Sequence, residues 1–156
     1  MATERGPGPA RSSQDDRLVD AIVRSAFATM AVLNKVAADH DLSLTQLRVL
    51  AILRDRRLRM SELAHHLGLE KSTMSGLVDR AEQRGLLARG QRDGDRRAIE
   101  VFLTPAGAEL AGRGSVLIAG LLLPATDGLS PAERRRLQAL LERTVARDDP
   151  DRARIN

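Results

Sequence analysis

The side chains of this sequence that could do chemistry are arginines and short hydroxyl-bearing residues, and their spacing suits the binding of a nucleic-acid duplex. Donors of this kind cluster at the start of one predicted helix: Lys71, Ser72, Thr73 and Ser75. Such side chains are expected to face base edges and phosphates in a major groove, although capping and solvation by small polar residues is the alternative. Further along this helix, Arg80 could reach a phosphate, and Asp79 is expected to orient a neighbouring arginine.

A second set of charged side chains lies on a predicted β-hairpin. Asp93-Gly94 is typical of a two-residue hairpin turn, and the residues that flank it add three arginines and a carboxylate: Arg92, Asp95, Arg96 and Arg97. The negative potential of a narrow minor groove attracts guanidinium groups, and a nearby carboxylate can hold an arginine extended. The hairpin is therefore predicted to probe a minor groove, and a solvated hairpin tip is the alternative.

Other kinds of chemistry are not indicated. The chain has no cysteine, which excludes disulfides, thiolate metal sites and thiol catalysis. Its only aromatic residues are Phe27 and Phe102, so base stacking of the RNA-binding kind is nearly unavailable. The histidines, His40 and the adjacent His65 and His66, predict no metal site, because neighbouring helical residues point about 100° apart. Since no nucleophile–base pattern stands out, we expect neither an enzyme nor a cofactor.

The positive charge of the chain is concentrated in its middle third. The 156 residues carry a net charge of +4, but residues 46–97 hold 12 basic and 7 acidic side chains, a net +5. A basic centre between nearly neutral flanks suggests a polyanionic partner, most often nucleic acid. Because 23 of the 25 basic residues are arginine, genome composition is a second explanation for part of this charge.

The elements that must position these side chains include a helix-turn-helix. From Met60 onward, small and apolar residues recur at the spacing of two helices that cross at a tight turn: Leu63, Ala64, Leu67, Leu69, Met74 and Leu77. Ala64 is small where the second helix crosses closely, and Gly68 can take the positive φ of a sharp turn. A helical hairpin without a DNA partner shares several of these constraints and is the alternative.

The whole chain is predicted to be mainly α, with six helices and one small β-hairpin. Capping boxes at Ser43-x-x-Gln46 and Ser130-x-x-Glu133, an N-cap at Thr104 and a stop at Gly85 mark helix limits. With apolar periodicity they place a helix that begins at residue 43 and is closed by Arg56-Arg57, further helices over residues 14–40, 60–67, 71–84, 104–123 and 130–147, and strands over residues 86–91 and 97–103. The first and last helices hold more apolar surface than a domain of this size can bury. We therefore expect a homodimer built from them.

In two stretches the chain resembles the winged helix-turn-helix regulators of the multiple-antibiotic-resistance (MarR) family: MSELAHHLGLEKSTMSGLVDRAEQRGLLAR over residues 60–89 and DGDRRAIEVFLTPAG over residues 93–107. The resemblance extends over residues 16–147 and includes LSLTQLRVLAIL and LSPAERRRLQALLERT. Its most specific part is Asp95-Arg96-Arg97 followed by Leu103-Thr104 and Gly107.

The resemblance implies a triangular homodimer with interlocked terminal helices. Dimerisation helices would then cover residues 14–40 and 104–147, and a winged helix-turn-helix DNA-binding lobe would cover residues 43–103. The remaining residues, 1–13 and 148–156, are expected to be a disordered tail and a frayed tail.

The resemblance also implies roles for single residues. The helix that starts near Lys71 would read the major groove, Arg96 or Arg97 would enter the minor groove, and Asp95 would steady the wing arginine. With Ser61 at the start of the first motif helix, the predicted DNA contacts are Ser61, Lys71, Ser72, Thr73, Ser75, Arg80, Arg92, Asp95, Arg96 and Arg97.

At three positions the chain departs from the family pattern. Arg59 and Glu70 stand where members often have a Thr or Ser N-cap, and Gly76 stands where many carry an arginine or another polar reader. These differences concern the contacts to single bases, not the fold.

A small-molecule effector pocket between the dimerisation helices and the DNA-binding lobe is also implied. Met30, Asn34 and Arg48 lie on helices that would border it, and plain packing is the alternative for each. No apolar run reaches the roughly 18–20 residues of a membrane span, and no signal peptide opens the chain. We therefore expect a cytoplasmic protein without a membrane partner.

These observations predict a sequence-specific transcriptional regulator, a ligand-responsive repressor that binds double-stranded DNA as a homodimer. Its operator would be a pseudo-palindrome with half-sites about one helical turn apart. A non-specific architectural DNA-binding protein is the alternative, and it would bind random and operator duplexes with nearly equal affinity. A winged-helix module that binds protein instead of DNA is the third hypothesis.

Overall fold

The structure of the chain, a computed structural model, describes residues 12–92 and 95–145, and the side chains of all of these but residues 92 and 95–98. Its elements are α1 (Ser13–Asp39), α2 (Leu44–Leu53), β1 (Leu58–Arg59), α3 (Met60–Leu67), α4 (Lys71–Gln83), β2 (Leu87–Arg92), β3 (Asp95–Leu103), α5 (Pro105–Leu122), a 3-10 turn (Leu123–Thr126) and α6 (Pro131–Val145). Within the described residues, six α-helices and a small antiparallel sheet confirm the predicted fold class. The chain divides into two compact units, Met1–Ile118 and Ala119–Asn156.

The sheet consists of the predicted hairpin, here called the wing (β2 and β3), and one strand that the sequence did not predict. β2 and β3 pair antiparallel, with Leu87 opposite Leu103 and Arg89 opposite Val101. β1 has two residues and pairs with the other edge of β3, where Leu58 lies opposite Val101. Two residues are too few to show an alternating pattern, so only the pairing with β3 reveals this strand.

Three helices end in the same kind of left-handed corner. Among the residues that the structure describes, φ is positive at Asp41 (+53°), Gly68 (+64°) and Gly85 (+69°). At each corner the following N–H donates back to a carbonyl of the last helical turn: Leu42 to Ala37 at 2.8 Å, Leu69 to Ala64 at 3.0 Å and Leu86 to Ala81 at 2.9 Å. The predicted turn at Gly68 and the predicted stop at Gly85 are thereby confirmed, and each corner satisfies a carbonyl that a helix end would leave open.

Reciprocal capping boxes begin the first, second and last helices. The predicted boxes form at Ser43 with Gln46 and at Ser130 with Glu133. A third box, between Ser12 and Asp15, starts α1 at Ser13, one residue earlier than predicted. In the boxes of Ser12 and Ser130, the serine hydroxyl and, to a smaller extent, the serine backbone N–H donate to the carboxylate. These hydrogen bonds hold the pKa of the Asp15 and Glu133 carboxyls below their ordinary values.

The core of the Met1–Ile118 unit lies where α3 and α4 pack against the sheet. Leu63, Met74, Val78 and Val101 have no exposed surface, and Val36 of α1 is 1% exposed. Burying side chains of this size contributes about 2 kcal/mol each. The helix-turn-helix and the wing therefore share one core.

The wing and the start of α5 meet in a close backbone contact. The Thr104 N–H donates to the Leu86 carbonyl at 3.1 Å, and the Thr104 hydroxyl donates to the Gly85 carbonyl at 2.6 Å. The hydroxyl also accepts from the Gly107 N–H at 3.1 Å, which confirms Thr104 as the N-cap of α5. A Cβ atom on Gly107 would lie 1.9 Å from the Leu86 carbonyl oxygen, so only glycine fits at this position.

The apolar face of α1 is covered at one end of the helix and exposed at the other. Val36 and Ala37 are buried in the core. Steps of three and four residues back along this face reach side chains that solvent contacts: Leu18, Val19, Ile22, Val23 and Met30. Phe27 is 72% exposed and Val116 of α5 is 73% exposed. In the Ala119–Asn156 unit, α6 also exposes apolar residues, among them Leu137, Leu140 and Leu141.

Two stretches have the length and composition of a membrane span: α1 and Pro105–Thr126. The expectation that the sequence contains no such stretch is therefore wrong. That expectation concerned uninterrupted apolar runs, whereas these stretches stay apolar on average although charged residues such as Arg24 and Arg113 interrupt them. Core helices of soluble proteins have the same properties, so this finding does not by itself indicate a membrane.

Candidate nucleic-acid interface

The helix-turn-helix packs as the spacing of its residues predicts. Leu63 and Ala64 of α3 and Met74 of α4 are buried. The other predicted apolar positions are partly buried and pack against the same core: Met60, Leu67, Leu69 and Leu77. The motif therefore holds α4 by its inner face and leaves its outer face to solvent.

The first turn of α4 presents polar side chains to solvent. Lys71, Ser72 and Thr73 are exposed, and Ser75 is half-buried. Glu70, the residue before the helix, makes no side-chain hydrogen bond to the helix. The first N–H groups of α4 thus receive no capping acceptor from Glu70, and the positive end of the helix dipole favours an anion there. A phosphate group has the charge and the oxygen acceptors that this turn can bind.

The start of α3 supplies the remaining helical candidate. Ser61 is exposed in the first turn of this helix. Arg59 stands at the N-cap position, and its N–H donates to the Glu62 carboxylate at 2.7 Å. Glu62 thus satisfies the Arg59 N–H, as the third helical residue of a capping box does, whereas Arg59 has no hydroxyl that could accept from the first N–H groups of α3.

Arg80 lies along the outer face of α4, above Gly76. It is exposed, and a Cβ atom on Gly76 would lie 3.7 Å from its Nη1 atom. Helical side chains lean toward the helix N-terminus, so the guanidinium group of Arg80 extends one turn toward Lys71. The guanidinium group of Arg80 therefore covers Gly76, and a Cβ atom at this position would meet it at ordinary contact distance.

Asp79 and Glu82, two carboxylates of α4, are both bound by Arg89 of the wing. Nη2 of Arg89 lies 2.6 Å from Oδ1 of Asp79, and Nη1 contacts Oε2 of Glu82. The prediction that Asp79 orients an arginine is confirmed, with Arg89 as that arginine. These ion pairs hold the wing against α4 and offset one of the two acidic charges on this helix. Because Arg89 lies opposite the buried Val101, the alternation of β2 points it to the inner face of the sheet.

A stacked group of side chains forms the outer face of the wing near its base. The guanidinium carbon of Arg57 lies 3.7 Å from the centre of the Phe102 ring. A Cβ atom on Gly90 would come within 2.9 Å of this ring, so the ring lies against the backbone of β2 at Gly90. The sequence alone does not indicate this cation–π contact, because Arg57 and Phe102 come together only when β1 pairs with β3.

The predicted wing contacts belong to the two strands of the hairpin: Arg92 to β2, and Asp95, Arg96 and Arg97 to β3. Their side chains lie outside the part of the chain that the structure describes. Their assignment to a minor groove stays a prediction.

Two of the three predicted effector residues are exposed without a defined contact, and the third binds the helix-turn-helix. Met30 and Asn34 lie on the exposed side of α1. Arg48 of α2 donates from Nη2 to the His66 carbonyl of α3 at 3.3 Å. An apolar recess in this unit is lined by other residues, including Leu42, Gln46 and Leu77. Within the described part of the chain, no group of three or more metal-ligating side chains converges.

Proteins similar to this chain regulate transcription. A sequence model described as "MarR family" matches residues 40–98. The HTH-type transcriptional regulator PecS of Dickeya dadantii is 31% identical over 133 residues, which cover 81% of this chain and 78% of PecS. The homoprotocatechuate degradative operon repressor of Escherichia coli is 24% identical over 132 residues, which cover 84% of this chain and 89% of the repressor.

Solved structures agree with these relatives. The structure of BpsR from Bordetella bronchiseptica, whose DNA binding is regulated by 6-hydroxynicotinic acid, superposes with a TM-score of 0.66 at 27% identity, over 88% of this chain and 98% of BpsR. The relatives are regulators, which confirms that the chain is not an enzyme. A buried helix-turn-helix, a wing and similarity over most of its length establish that the chain belongs to the MarR family of transcriptional regulators.

Proposed function

We propose that this regulator binds a pseudo-palindromic DNA duplex as a homodimer, with α4 in the major groove and the wing in the adjacent minor groove. The exposed first turn of α4 carries this proposal: it joins hydroxyl and ammonium donors to N–H groups that Glu70 does not cap. The proposed contacts are Ser61, Lys71, Ser72, Thr73, Ser75 and Arg80 on the helices, and Arg92, Asp95, Arg96 and Arg97 on the wing.

The exposed apolar residues of α1 support the homodimer. They continue a face that is buried at Val36 and Ala37, so the helix is built to be covered along its whole length. A second copy of this chain offers the same surface, and a two-fold axis can match the two. Covering these residues with a partner also accounts for the apolar composition of α1 without a membrane. We place the protein in the cytoplasm, where it meets DNA.

Ligand-responsive repression is the proposed mode of regulation. The operon repressor similar to this chain supports repression, and BpsR supports control of DNA binding by a small molecule. Met30, Asn34 and Arg48 are the proposed effector contacts. Arg48 holds the His66 carbonyl, so a ligand that draws Arg48 away would release a contact to the helix-turn-helix. Such a ligand acts only through different affinities for the free and DNA-bound states.

Selection of duplexes from a random library by the full chain tests the proposal. We expect enrichment of a two-fold symmetric site, and binding that is about 10³-fold or more tighter than to a scrambled duplex at the same salt concentration. Equal affinity for both duplexes with a steep salt dependence would favour an architectural protein, and no binding to any duplex would favour a protein-interaction module.

Alanine variants locate the interface. Ser72→Ala and Thr73→Ala, both in the first turn of α4, should weaken binding to the selected site by about 1 kcal/mol each. Ser25→Ala is the matched control, because this serine hydroxyl donates to the Ala21 carbonyl on α1. If Ser25→Ala weakens binding as much as the α4 variants, α4 does not carry the recognition.

A further inference from the structure

The C-terminal end of α4 is bound to the end of α1 by one side chain. Arg84 directly follows α4, and its guanidinium group donates to two backbone carbonyls in the corner between α1 and α2. Nη1 lies 2.6 Å from the Asp41 oxygen, and Nη2 lies 3.2 Å from the His40 oxygen. The donor and acceptors are more than 40 residues apart in the sequence, at separations of 43 and 44. The contact therefore joins two distant parts of the fold.

The backbone on both sides of this contact is closed by its own hydrogen bonds. After Arg84, Gly85 turns the chain with φ +69°. On the other side, Asp41 has φ +53°, and the Leu42 N–H donates to the Ala37 carbonyl at 2.8 Å. A planar guanidinium with two donors fixes direction as well as distance. The contact thus joins α4 to α1 at a defined angle.

Arg84 also supplies a charge that α1 lacks. The C-terminus of a helix carries partial negative charge and favours a cation nearby. The last turn of α1 contains no basic residue, so the cation at this end comes from the residue that follows α4. Removing it would take away both the hydrogen bonds and the favourable charge.

We propose that Arg84 is a positioning residue for DNA recognition: it fixes α4 relative to α1 and thereby sets the spacing of half-sites that the dimer accepts. This inference rests on the proposed function, in which α1 joins two subunits and α4 reads DNA. Each base pair added between half-sites moves one of them by about 3.4 Å and rotates it by about 35°. A firmly held helix accepts few such spacings, whereas a loosely held helix accepts several.

The test measures the affinity of the full-length dimer for duplexes in which the selected half-sites are moved apart or together by one and two base pairs. We expect the unaltered protein to bind its best spacing about tenfold or more tighter than spacings one base pair away. Arg84→Met, which keeps the length of the side chain but not its donors, should reduce this preference to about twofold to threefold. The order of preference among half-site sequences should not change. Arg84→Lys keeps the charge but not the fork, and should give an intermediate preference.

The control is Arg113→Met, which removes an exposed arginine of α5 that pairs with Glu109, and it should preserve the spacing preference. An Arg84→Met protein that weakens all duplexes equally, or that keeps the original spacing preference, overturns the inference. If Arg84→Met shows no cooperative unfolding transition, and is therefore not properly folded, the result for Arg84→Lys decides. An unchanged spacing preference in Arg84→Lys would then overturn the inference. An unaltered protein without any preferred duplex would instead refute the proposed function.

Discussion

The arginines of the basic middle third, residues 46–97, have different roles, and the sequence does not show which arginine has which role. Arg84 and Arg89 bind groups of their own protein, and Arg48 and Arg54 do the same through the His66 carbonyl and the Ser115 hydroxyl. The sequence predicted a partner for Asp79, but not which arginine, because pairing across 10 residues depends on how β2 packs on α4. The alternation of inward and outward side chains along β2 could have shown that Arg89 faces the interior side of the sheet. Nothing in the sequence pointed to Arg84, whose partners are backbone carbonyls.

Arg80 is the exposed arginine of α4 for which the described residues provide no partner, and it is expected to bind a phosphate. Replacing it by alanine should weaken binding to all duplexes by a similar factor and lower the slope of log K against log salt by about 1. Fluorescence anisotropy over a range of salt concentrations measures both quantities. The reason is that one fewer counterion is released from the duplex on binding.

Arg113→Ala is the matched control for this prediction, because it removes the same charge from an exposed site on α5. It should leave the salt slope unchanged. A change of base preference in Arg80→Ala, with little change in the slope, would mean that Arg80 reads a base from its position above Gly76.

Elements were predictable where local chemistry sets their limits. Ser43 with Gln46 and Ser130 with Glu133 marked helix starts, Gly68 and Gly85 marked helix ends, and the structure places all of them as predicted. β1 was not predictable, since its two residues become a strand only by pairing with β3. In the sequence, the junction between the wing and α5 was visible only as the family pattern Leu103-Thr104 followed by Gly107. The physical reason for the glycine is the Leu86 carbonyl, which lies against it.

Gly107→Ala should destabilise the protein by about 2–3 kcal/mol, because its Cβ would overlap the Leu86 carbonyl oxygen and force the wing from α5. Thermal unfolding followed by circular dichroism measures the change. Gly112→Ala is the control on the same helix, since its Cβ would meet nothing within 4 Å, and alanine should raise helix stability by up to about 1 kcal/mol. Equal unfolding temperatures for the two variants would contradict the close contact at Gly107.

At the scale of the whole molecule, the sequence predicted more apolar surface than one chain buries, and the exposed side chains of α1, α5 and α6 agree with this. The homodimer expected from this surface stays a prediction, because hydrophobic burial is non-directional and an apolar face does not by itself specify the surface that covers it. The proposed DNA contacts remain predictions for a related reason: hydrogen-bond donors on a helix define a surface that can bind, but not the bases that it selects.

Ile22→Glu should separate the proposed dimer. Its side chain is 57% exposed in the single chain, and a carboxylate buried there without a partner would weaken association by about 3 kcal/mol or more. Sedimentation equilibrium at micromolar concentration measures this change. Arg24→Glu alters the polar side of the same helix and should leave the dimer intact. Dimers of equal strength in both variants would show that this face of α1 is not the interface.

The three left-handed corners limit how this architecture can change during evolution. At each one the chain leaves a helix and closes a hydrogen bond within two or three residues, at Asp41, Gly68 and Gly85. One inserted residue would carry the next segment out of register, and in a helix it would rotate the buried face by about 100°. Insertions and deletions among related genes should therefore avoid these three corners.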